Sequence, residues 1–372
     1  MPTSWPSIVK QESASLKINL DNLIRKNLSN IAFVTIDGED AKDFDDAVFC
    51  VEHNDGYDLY VAIADVSLYV KPGSSIDKEA INRGTSIYFP NFVIPMLPEI
   101  LSNNLCSLKP NEDRPSLVVK INLDKDCYLK KYNFFSAIIH SHARLTYTEV
   151  ENNSFESPLS NAVIDSLKNL KTFAHKRIAI KEERGAVRIH SKEHLIKIND
   201  RGTSKSISFR KNIFANQMIE ECMLLANECA ADLLNNRYGY APFRVHEEPD
   251  QLKLEMLKKI LGGNMQLQNL QDPASQINSI SEKISAKDQL KQSLILQTMK
   301  RAEYSTENVG HFGLQLDQYC HFTSPIRRYP DLLTHRMIKS CIEGDNDYSS
   351  YKKNDQEICE ISSKLEHRAE NA

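Results

Sequence analysis

The ten-residue acidic segment 37–46 contains five aspartates and is flanked on both sides by apolar runs. The four considered as one group are Asp37, Asp43, Asp45 and Asp46. Carboxylates packed this closely repel one another, and at about 6 Å with an effective dielectric constant of about 20 each pair costs on the order of 3 kcal/mol. A fold that gathers them needs a compensating charge, and hard oxygen ligands of this kind suit Mg²⁺ or Mn²⁺.

The surrounding residues predict that the acidic segment lies between two strands. The runs 31–36 and 47–51 are apolar and rich in β-branched or aromatic residues, which is typical of buried strands. An EF-hand is excluded, because Glu39 and Ala41 occupy the third and fifth positions of a calcium loop that starts at Asp37. Two interpretations remain open here: a solvated acidic loop and a metal site.

The composition is that of a soluble globular protein with one large domain or two. The chain has 372 residues, of which 41% are hydrophobic and 26% are charged. It has no apolar run of membrane-spanning length and no signal-peptide layout at its N-terminus. The eight cysteines form no Cys-x-x-Cys pair, which favours reduced, mostly buried thiols in a cytoplasmic protein over a zinc site. The net charge of −4 neither indicates nor excludes nucleic-acid binding.

The order of the predicted elements indicates an α+β fold. Residues 1–30 are polar and are interpreted as a lead-in segment, and strand-like runs then dominate to about residue 150. The clearest of these further runs are 57–64, 116–123 and 132–139. Helical spacing takes over from about residue 160, most clearly over 214–234. Strands followed by helices are typical of the α+β class.

A segment late in the chain, 321–336, carries two adjacent arginines before a predicted helix. Arg327 and Arg328 follow a proline, and Asp331 lies near the first helical turn, where a negative charge is favoured. Planar guanidinium groups suit bidentate contact with phosphate. Together with the aspartates, the segment indicates phosphoryl chemistry, with metal ions at the nucleophile and leaving group and arginine at the developing charge.

Other polar groups have roles that the residues alone leave open. The local sequence favours the interpretation of Tyr88 as a core residue over that of a ligand-stacking residue, and Tyr147 is similarly ambiguous. The basic stretch 171–192 is either a solvated helix face or a phosphate-tracking wall. Glu220 and Glu221 lie in the apolar helix. Successive helical residues point about 100° apart, so at most one of them faces inward and the other is predicted to be solvated.

The chain resembles the catalytic RNB domain of the ribonuclease II and ribonuclease R family. The matching segments run in family order, and they are 35–47, 63–67, 95–98, 101–108, 219–227, 310–314 and 321–328. Details at 95–98 and 106–108 are more similar to ribonuclease R than to ribonuclease II. The resemblance covers 31–372, and it implies an RNB-type α+β domain there, with a mixed β-sheet core and helices packed around a central RNA channel.

The resemblance also implies an activity. It implies a monomeric 3′→5′ exoribonuclease that uses Mg²⁺ or Mn²⁺ and degrades single-stranded RNA processively to nucleoside 5′-monophosphates. By similarity, Asp37 and Asp46 hold one metal ion, while Asp43 and Asp45 serve a second metal ion and the attacking water.

Further roles follow by similarity for individual residues. Tyr88 stacks on the 3′-terminal base, Tyr147 positions RNA near the cleavage site, and Arg327 contacts the scissile phosphate. Glu220 or Glu221 contacts a ribose, and Arg328 is counted with the RNA-binding residues. Stacking tolerates any base and selection of RNA depends on the 2′-hydroxyl, so the nuclease is expected to be sequence-independent and RNA-selective.

Two departures from the family pattern affect RNA binding more than chemistry. Ile189 stands where the family has a phenylalanine that sandwiches the terminal base against the Tyr88 counterpart, and an isoleucine offers no π-face. The cold-shock and S1 domains that flank this domain in the family are absent from this chain, which is either truncated or naturally reduced. These departures motivate the alternative of a catalytically weak RNA-binding module that retains the fold.

Overall fold

The structure is a computed structural model, and it describes residues 3–20, 23–90, 92–189, 194–198, 204–209, 213–262, 272–285, 288–344 and 351–371. The strands are β1 (Lys26–Asp37), β2 (Asp46–His53), β3 (Gly56–Ala64), β4 (Ile87–Tyr88), β5 (Val93–Ile94), β6 (Asp113–Leu123), β7 (Leu129–Thr146), β8 (His194–Ile198), β9 (Ser204–Phe209), β10 (Phe243–Val245) and β11 (Glu303–Ser305). The α-helices are α1 (Ser7–Ser15), α2 (Val66–Tyr69), α3 (Ser75–Arg83), α4 (Tyr147–Asn152), α5 (Asn161–Glu183), α6 (Phe214–Tyr238), α7 (Gln251–Leu257), α8 (Pro273–Lys283), α9 (Gln289–Thr298), α10 (Tyr329–Glu343) and α11 (Lys352–Glu370). Short π-helical turns span Leu101–Leu105 and Lys258–Gly262, and a 3₁₀ turn spans Phe312–Leu314.

Five strands close into a barrel in the order β1-β2-β3-β6-β7. The pairing of β1 with β7 is parallel, and the other neighbours are antiparallel. All five strand-like runs named above lie within these strands, so those predictions are confirmed. The fold is α+β with a mixed sheet core, as expected. The strand β1 begins at Lys26, ahead of the boundary placed at residue 31.

Alternate residues of the barrel strands enter two different hydrophobic clusters. Val34 and Ile36 join a cluster with α5 and α6, whereas Phe33 joins a cluster with α2, α3 and α10. This follows from the two-residue period of a strand. Because both faces of the strands are covered, their sequences are nearly continuous apolar runs instead of alternating ones.

The later part of the chain is helical and packs on the barrel. The run predicted over 214–234 lies within α6, which ends at Gly239 in the left-handed conformation with φ of 73°. A third cluster forms between α7, α8 and α9, with Phe312 beside them. The sequence between α7 and α9 is polar, and α8 lies within it, whereas residues 263–271 lie outside the described ones.

The remaining expectations from composition concern thiols and membrane segments. All eight cysteines are free thiols, and all but Cys341 are buried, which confirms that part of the prediction. Within the part of the chain that the structure describes, no helix has the length and apolarity to cross a membrane.

Candidate active site

The four aspartates line one cavity of about 1150 Å³ at one end of the barrel. Asp37 is the last residue of β1 and Asp46 the first of β2, so both are fixed by strand pairing, while Asp43 and Asp45 lie in the connection between them. The predicted site residues that share this cavity are Asp37, Asp43, Asp45, Asp46, Tyr88, Tyr147, Glu220, Arg327 and Arg328.

The acidic connection is anchored to the protein along its length. Arg144 of β7 donates from Nη2 to the carbonyl oxygens of Gly38 at 2.6 Å and Glu39 at 2.7 Å. Ser107 accepts from the Phe44 N–H at 3.0 Å and donates to the Lys42 carbonyl at 2.9 Å. A loop held by these contacts has a fixed shape, in which Phe44 and Asp45 are buried while Glu39 and Asp40 are exposed.

Asp45 joins the acidic segment to the arginine segment. Its Oδ1 accepts from the Ile326 N–H at 2.9 Å, and its Oδ2 lies 3.8 Å from the Arg327 Nε. The Asp45 side chain is buried, whereas 44% of the Arg327 side chain is exposed. The structure therefore brings together the two motifs that the sequence combined into one chemistry.

Burial raises the pKa values of three cavity aspartates, and repulsion between carboxylates adds to this effect at Asp37 and Asp45. Burial, with Asp46 and Asp43 adding to it, raises the pKa of Asp37 to about 8. Burial raises the pKa of Asp46 to about 6 against the opposing effect of Arg327, and it raises the pKa of Asp45 well above its usual value. Arg327 alone does not neutralise the cluster.

The donor set fits a hard divalent cation in its chemistry. The Asp37 Oδ2 is buried and has no hydrogen-bond partner among the described residues, although a carboxylate oxygen in such a place needs one. Within the described ranges, no three His, Cys, Asp or Glu side chains are already grouped as metal ligands. The carboxylates thus share a cavity without forming a preassembled ligand set.

Tyr88 stands beside the acidic segment on the hairpin formed by β4 and β5. Its Oη donates to the Asp43 Oδ2 at 3.0 Å, and 52% of the residue is exposed. Lost hydration, with the nearby Asp43 charge adding to it, raises the pKa of the phenol. The interpretation of Tyr88 as a core residue is therefore wrong, because the ring faces the cavity.

The Tyr88 hairpin and the arginine segment are joined by a backbone seam, which we define as the paired segments 84–86 and 327–329. The Arg327 carbonyl accepts from the Ser86 N–H at 2.9 Å and from the Thr85 Oγ1 at 3.0 Å. The Tyr329 N–H donates to the Gly84 carbonyl at 2.9 Å. Gly84 has φ of +70°, and a Cβ there would lie 2.7 Å from Leu365 of α11, so glycine is required.

The two adjacent arginines have different environments. Arg328 donates from Nη2 to the Asp331 Oδ1 at 2.8 Å, and only 18% of its side chain is exposed. The same Asp331 oxygen accepts from the Ser324 N–H at 2.8 Å. Arg327 donates from Nη2 to the Ser324 Oγ at 3.0 Å and keeps more exposed surface. Arg328 is therefore placed to hold the turn, while Arg327 is placed to meet a ligand.

The two glutamates of α6 divide between the cavity and the core. Glu221 is only 2% exposed, whereas Glu220 lines the cavity with 51% of its side chain exposed. The Lys181 Nζ lies 2.7 Å from the Glu220 Oε1 and 3.1 Å from the Glu221 Oε1. Only one glutamate is buried, as predicted, and Lys181 supplies the charge that it needs.

The sequence of this chain is similar to those of known proteins. Residues 25–344 match the RNB domain. The chain belongs to the RNB domain family. It is 41% identical over 359 residues to ribonuclease R of Escherichia coli, an alignment covering 91% of this chain and 43% of the relative. It is 40% identical over 361 residues to ribonuclease R of Vibrio parahaemolyticus, covering 93% of this chain and 43% of the relative.

Solved structures give the same family for this RNB domain. It superposes on Mycoplasma genitalium RNase R in complex with ribose-methylated single-stranded RNA with a TM-score of 0.92 and 32% identity. That match covers 100% of this chain and 60% of the other. The chain thus spans less than half the length of the two curated relatives.

Tyr147 and Ile189, which received RNA-binding roles by resemblance, lie in different parts of the RNB domain. Tyr147 is the first residue of α4, which begins with a capping box formed by Thr146 and Glu149, and it lines the cavity. Ile189 packs instead against the cluster of α7, α8 and α9, and it is not among the described residues that line the cavity. Its role beside the terminal base stays a prediction.

The basic stretch 171–192 is largely engaged with the protein itself. Arg177 and Arg184 lie 3.5 and 3.8 Å from Glu228, and Arg188 contacts Glu282 at 2.5 Å. Residues 190–192 lie outside the described ones. The described contacts favour a scaffold that joins α5 to its neighbours over a phosphate-tracking wall.

Other residues of the RNB domain cavity received no role from the sequence. Asn227 donates from Nδ2 to the Tyr319 Oη at 2.9 Å and accepts from the Phe322 N–H at 2.8 Å, which fixes the approach to the arginine segment. Asn227 ends one of the family segments, so its position carried a signal. Phe89 and Phe92 also line the cavity, and their apolar character alone did not separate them from core residues.

Proposed function

We propose that this RNB domain is the catalytic part of a 3′→5′ exoribonuclease. It hydrolyses single-stranded RNA processively to nucleoside 5′-monophosphates, and the cavity is its RNA channel. The observation that carries the proposal is one cavity that combines the four grouped aspartates with an exposed arginine and an exposed tyrosine. The names of the relatives, ribonuclease R, and the RNA-bound structure of one of them support it.

The proposed cofactor is Mg²⁺, for which Mn²⁺ can substitute. The residues that would hold it are Asp37, Asp43, Asp45 and Asp46, whose carboxylate oxygens and uncompensated charge suit a hard cation. When bound, a divalent cation supplies charge at the phosphate and lowers the pKa of a coordinated water. Asp45 also holds Arg327 near the reacting centre through the Ile326 N–H.

The other cavity residues position the RNA. Arg327 stabilises charge that develops on the scissile phosphate, because its guanidinium is exposed and oriented by Ser324. The Tyr88 ring stacks on the 3′-terminal base. Glu220 and Tyr147 face the sugar and backbone, and a carboxylate at Glu220 can accept a hydrogen bond from a ribose 2′-hydroxyl.

The proposed enzyme acts as a monomer in the cytoplasm. This chain supplies the four aspartates and Arg327 of the proposed site. Its free, buried thiols suit a reducing compartment. A catalytically weak RNA-binding module is not favoured, because closely spaced carboxylates in the cavity would repel the phosphates of a bound RNA.

One assay tests the proposal. The protein is incubated with 5′-labelled single-stranded RNA or DNA of the same sequence, with Mg²⁺ or with EDTA, beside Asp45→Asn. We expect stepwise shortening from the 3′ end only with RNA and Mg²⁺, and none with the variant. RNA binding without shortening would favour the non-catalytic module. Equal shortening of DNA would contradict the predicted contact with the ribose 2′-hydroxyl.

A further inference from the structure

The hairpin that carries Tyr88 also carries a preassembled pair of aromatic rings. Phe89 and Phe92 stack with ring centroids 4.5 Å apart and an interplanar angle of 16°. The Phe89 N–H donates to the Phe92 carbonyl at 2.9 Å, which fixes the backbone beneath the rings. Phe92 keeps 50% of its surface exposed although one ring face lies against Phe89. Its outer face is therefore open.

The pair lies on the opposite face of the hairpin from Tyr88. Tyr88 is the cross-strand partner of Val93, and neighbouring residues of a strand point to opposite faces. Phe89 and Phe92 are the sequence neighbours of these two and therefore share the other face. Both phenylalanines nevertheless line the same cavity as Tyr88, so the hairpin presents two aromatic surfaces to one space.

Exposed apolar side chains are concentrated on this hairpin, whereas isolated ones are ordinary. Tyr88 and Val93 are 52% and 47% exposed on one face, and Phe92 is 50% exposed on the other. The segment 86–98 contains no charged residue, so it suits the flat face of a base better than a phosphate. Such a concentration of exposed apolar side chains at a cavity marks a binding surface.

We propose that the Phe89–Phe92 pair is a second base-stacking platform, occupied by a nucleobase upstream of the 3′-terminal one. The proposal rests on the proposed function, because the RNA that enters the cavity is the occupant. The rings are already stacked, so little side-chain freedom is lost when a base is added. The platform offers only a π-face, and it therefore accepts any base and does not distinguish RNA from DNA.

The test measures RNA binding in the Asp45→Asn background, where no turnover interferes. Phe92→Ala removes the open ring, Phe92→Trp keeps a π-face, and Phe92→Leu keeps apolar volume without one. Leu252→Ala is the matched control, because Leu252 is 76% exposed on α7 away from the cavity. Melting temperatures establish that each variant is folded.

We expect Phe92→Ala to weaken binding by about 5- to 100-fold, the range of a single base–aromatic stack. Phe92→Trp should bind like the parent, Phe92→Leu like Phe92→Ala, and Leu252→Ala like the parent. Unchanged binding by Phe92→Ala overturns the platform, and so does parental binding by Phe92→Leu, because packing alone would then explain the effect. Absence of RNA binding by the Asp45→Asn parent overturns it as well.

A nucleotide scan then locates the occupant. Each nucleotide of the RNA is replaced in turn by an abasic one, and its effect on binding is measured with and without Phe92→Ala and Tyr88→Ala. We expect one upstream position to lose its effect in Phe92→Ala and the terminal position to lose its effect in Tyr88→Ala. If the effects of the abasic nucleotide and of the protein substitution are additive at every position, the platform is contradicted. That result does not bear on the proposed function, which is contradicted if the unmodified protein fails to shorten RNA.

Discussion

Two sets of buried aspartates lie at the same end of the barrel and have opposite electrostatic environments. Asp65, which follows β3, is 1% exposed and forms a close ion pair with Arg25 and another with the Lys339 Nζ at 2.9 Å. Burial alone would raise its pKa, but Lys339 and Arg25 outweigh burial and hold the pKa below its usual value. Asp37 and Asp45, by contrast, have raised pKa values.

The contrast separates a structural carboxylate from a functional one. Asp65 has its counter-charges within the fold, where it ties the start of the barrel to α10 through Lys339. Arg327 lies beside Asp45, and Arg144 and Arg327 both oppose the raised pKa of Asp37, yet the pKa values of both aspartates stay raised. A buried acidic group without its own cations is a candidate site for a cation or a phosphate-bound metal.

The largest expected effect is on turnover. Asp45→Asn should lower kcat on the order of 10³-fold. The free energy of unfolding should stay equal or rise, because the variant removes a buried carboxylate whose pKa is raised despite Arg327 and the Asn Oδ1 can still accept from the Ile326 N–H. RNA shortening and urea unfolding measure the two quantities. Asp40→Asn is the control, since Asp40 is an exposed aspartate at the same cavity.

Asp65→Asn should give the reverse result. Removing one member of a buried ion pair leaves Arg25 and Lys339 uncompensated, and we expect a loss of about 3 kcal/mol in the free energy of unfolding. The kcat of the folded fraction should stay near that of the parent. Urea unfolding of both variants checks the comparison, and a similar loss of stability in Asp45→Asn would remove the distinction between the two sets.

The pH dependence of stability should also differ between the sets. Asp37 and Asp46 have pKa values raised from 3.8 to about 8 and about 6, so the folded state holds their protons more tightly than the unfolded state. Without metal, ionisation of these two side chains lowers the free energy of unfolding as pH rises from 3.8 to about 8. The lowered pKa of Asp65 acts oppositely, giving stability above the usual pKa of 3.8 that is lost in more acidic solution.

Thermal melting between about pH 5 and pH 8 checks this behaviour, in EDTA and then in Mg²⁺. Protons compete with the cation for the carboxylates, so Mg²⁺ should raise the melting temperature more at the higher pH. Asp37→Asn should reduce that difference. A Mg²⁺ effect that is equal at both pH values would contradict an ionised aspartate cluster as its binding site.

The smallest expected effects concern Tyr88, which touches the acidic set without belonging to it. Tyr88→Ala should raise KM about 10-fold through loss of one base stack, with little change in kcat. Tyr88→Phe keeps the ring and loses only the bond to Asp43, so its KM should stay within about 2-fold of the parent. Steady-state kinetics on short RNA measure both. A large fall in kcat for Tyr88→Phe would show that the phenol serves the aspartates directly.

Local patterns were sufficient for elements that depend on local residues. The strands and α6 follow from periodicity, and the aspartates of the cavity follow from their spacing within one segment. The partners of Asp65 could not be predicted, because Arg25 lies in the lead-in segment and Lys339 in α10. The closure of the barrel by parallel pairing of β1 with β7 is likewise a long-range property.

The site shows the same division between local and long-range information. The position of Tyr88 at the cavity was indicated only by family resemblance, because an aromatic residue in an apolar run looks the same whether it is buried or exposed. Glu220 faces the cavity and Glu221 is buried because of how α6 packs against its neighbours, and Lys181 of α5 contacts both. Exposure is decided by which elements pack nearby, and a single sequence does not contain that information.

The seam between 84–86 and 327–329 has a consequence for how a polymer could advance through the cavity. Its three hydrogen bonds tie the tyrosine hairpin to the arginine backbone, so a shift of one segment carries the other with it. Under the proposed function, we therefore expect the distance from the base on Tyr88 to the phosphate at Arg327 to stay constant from one cut to the next.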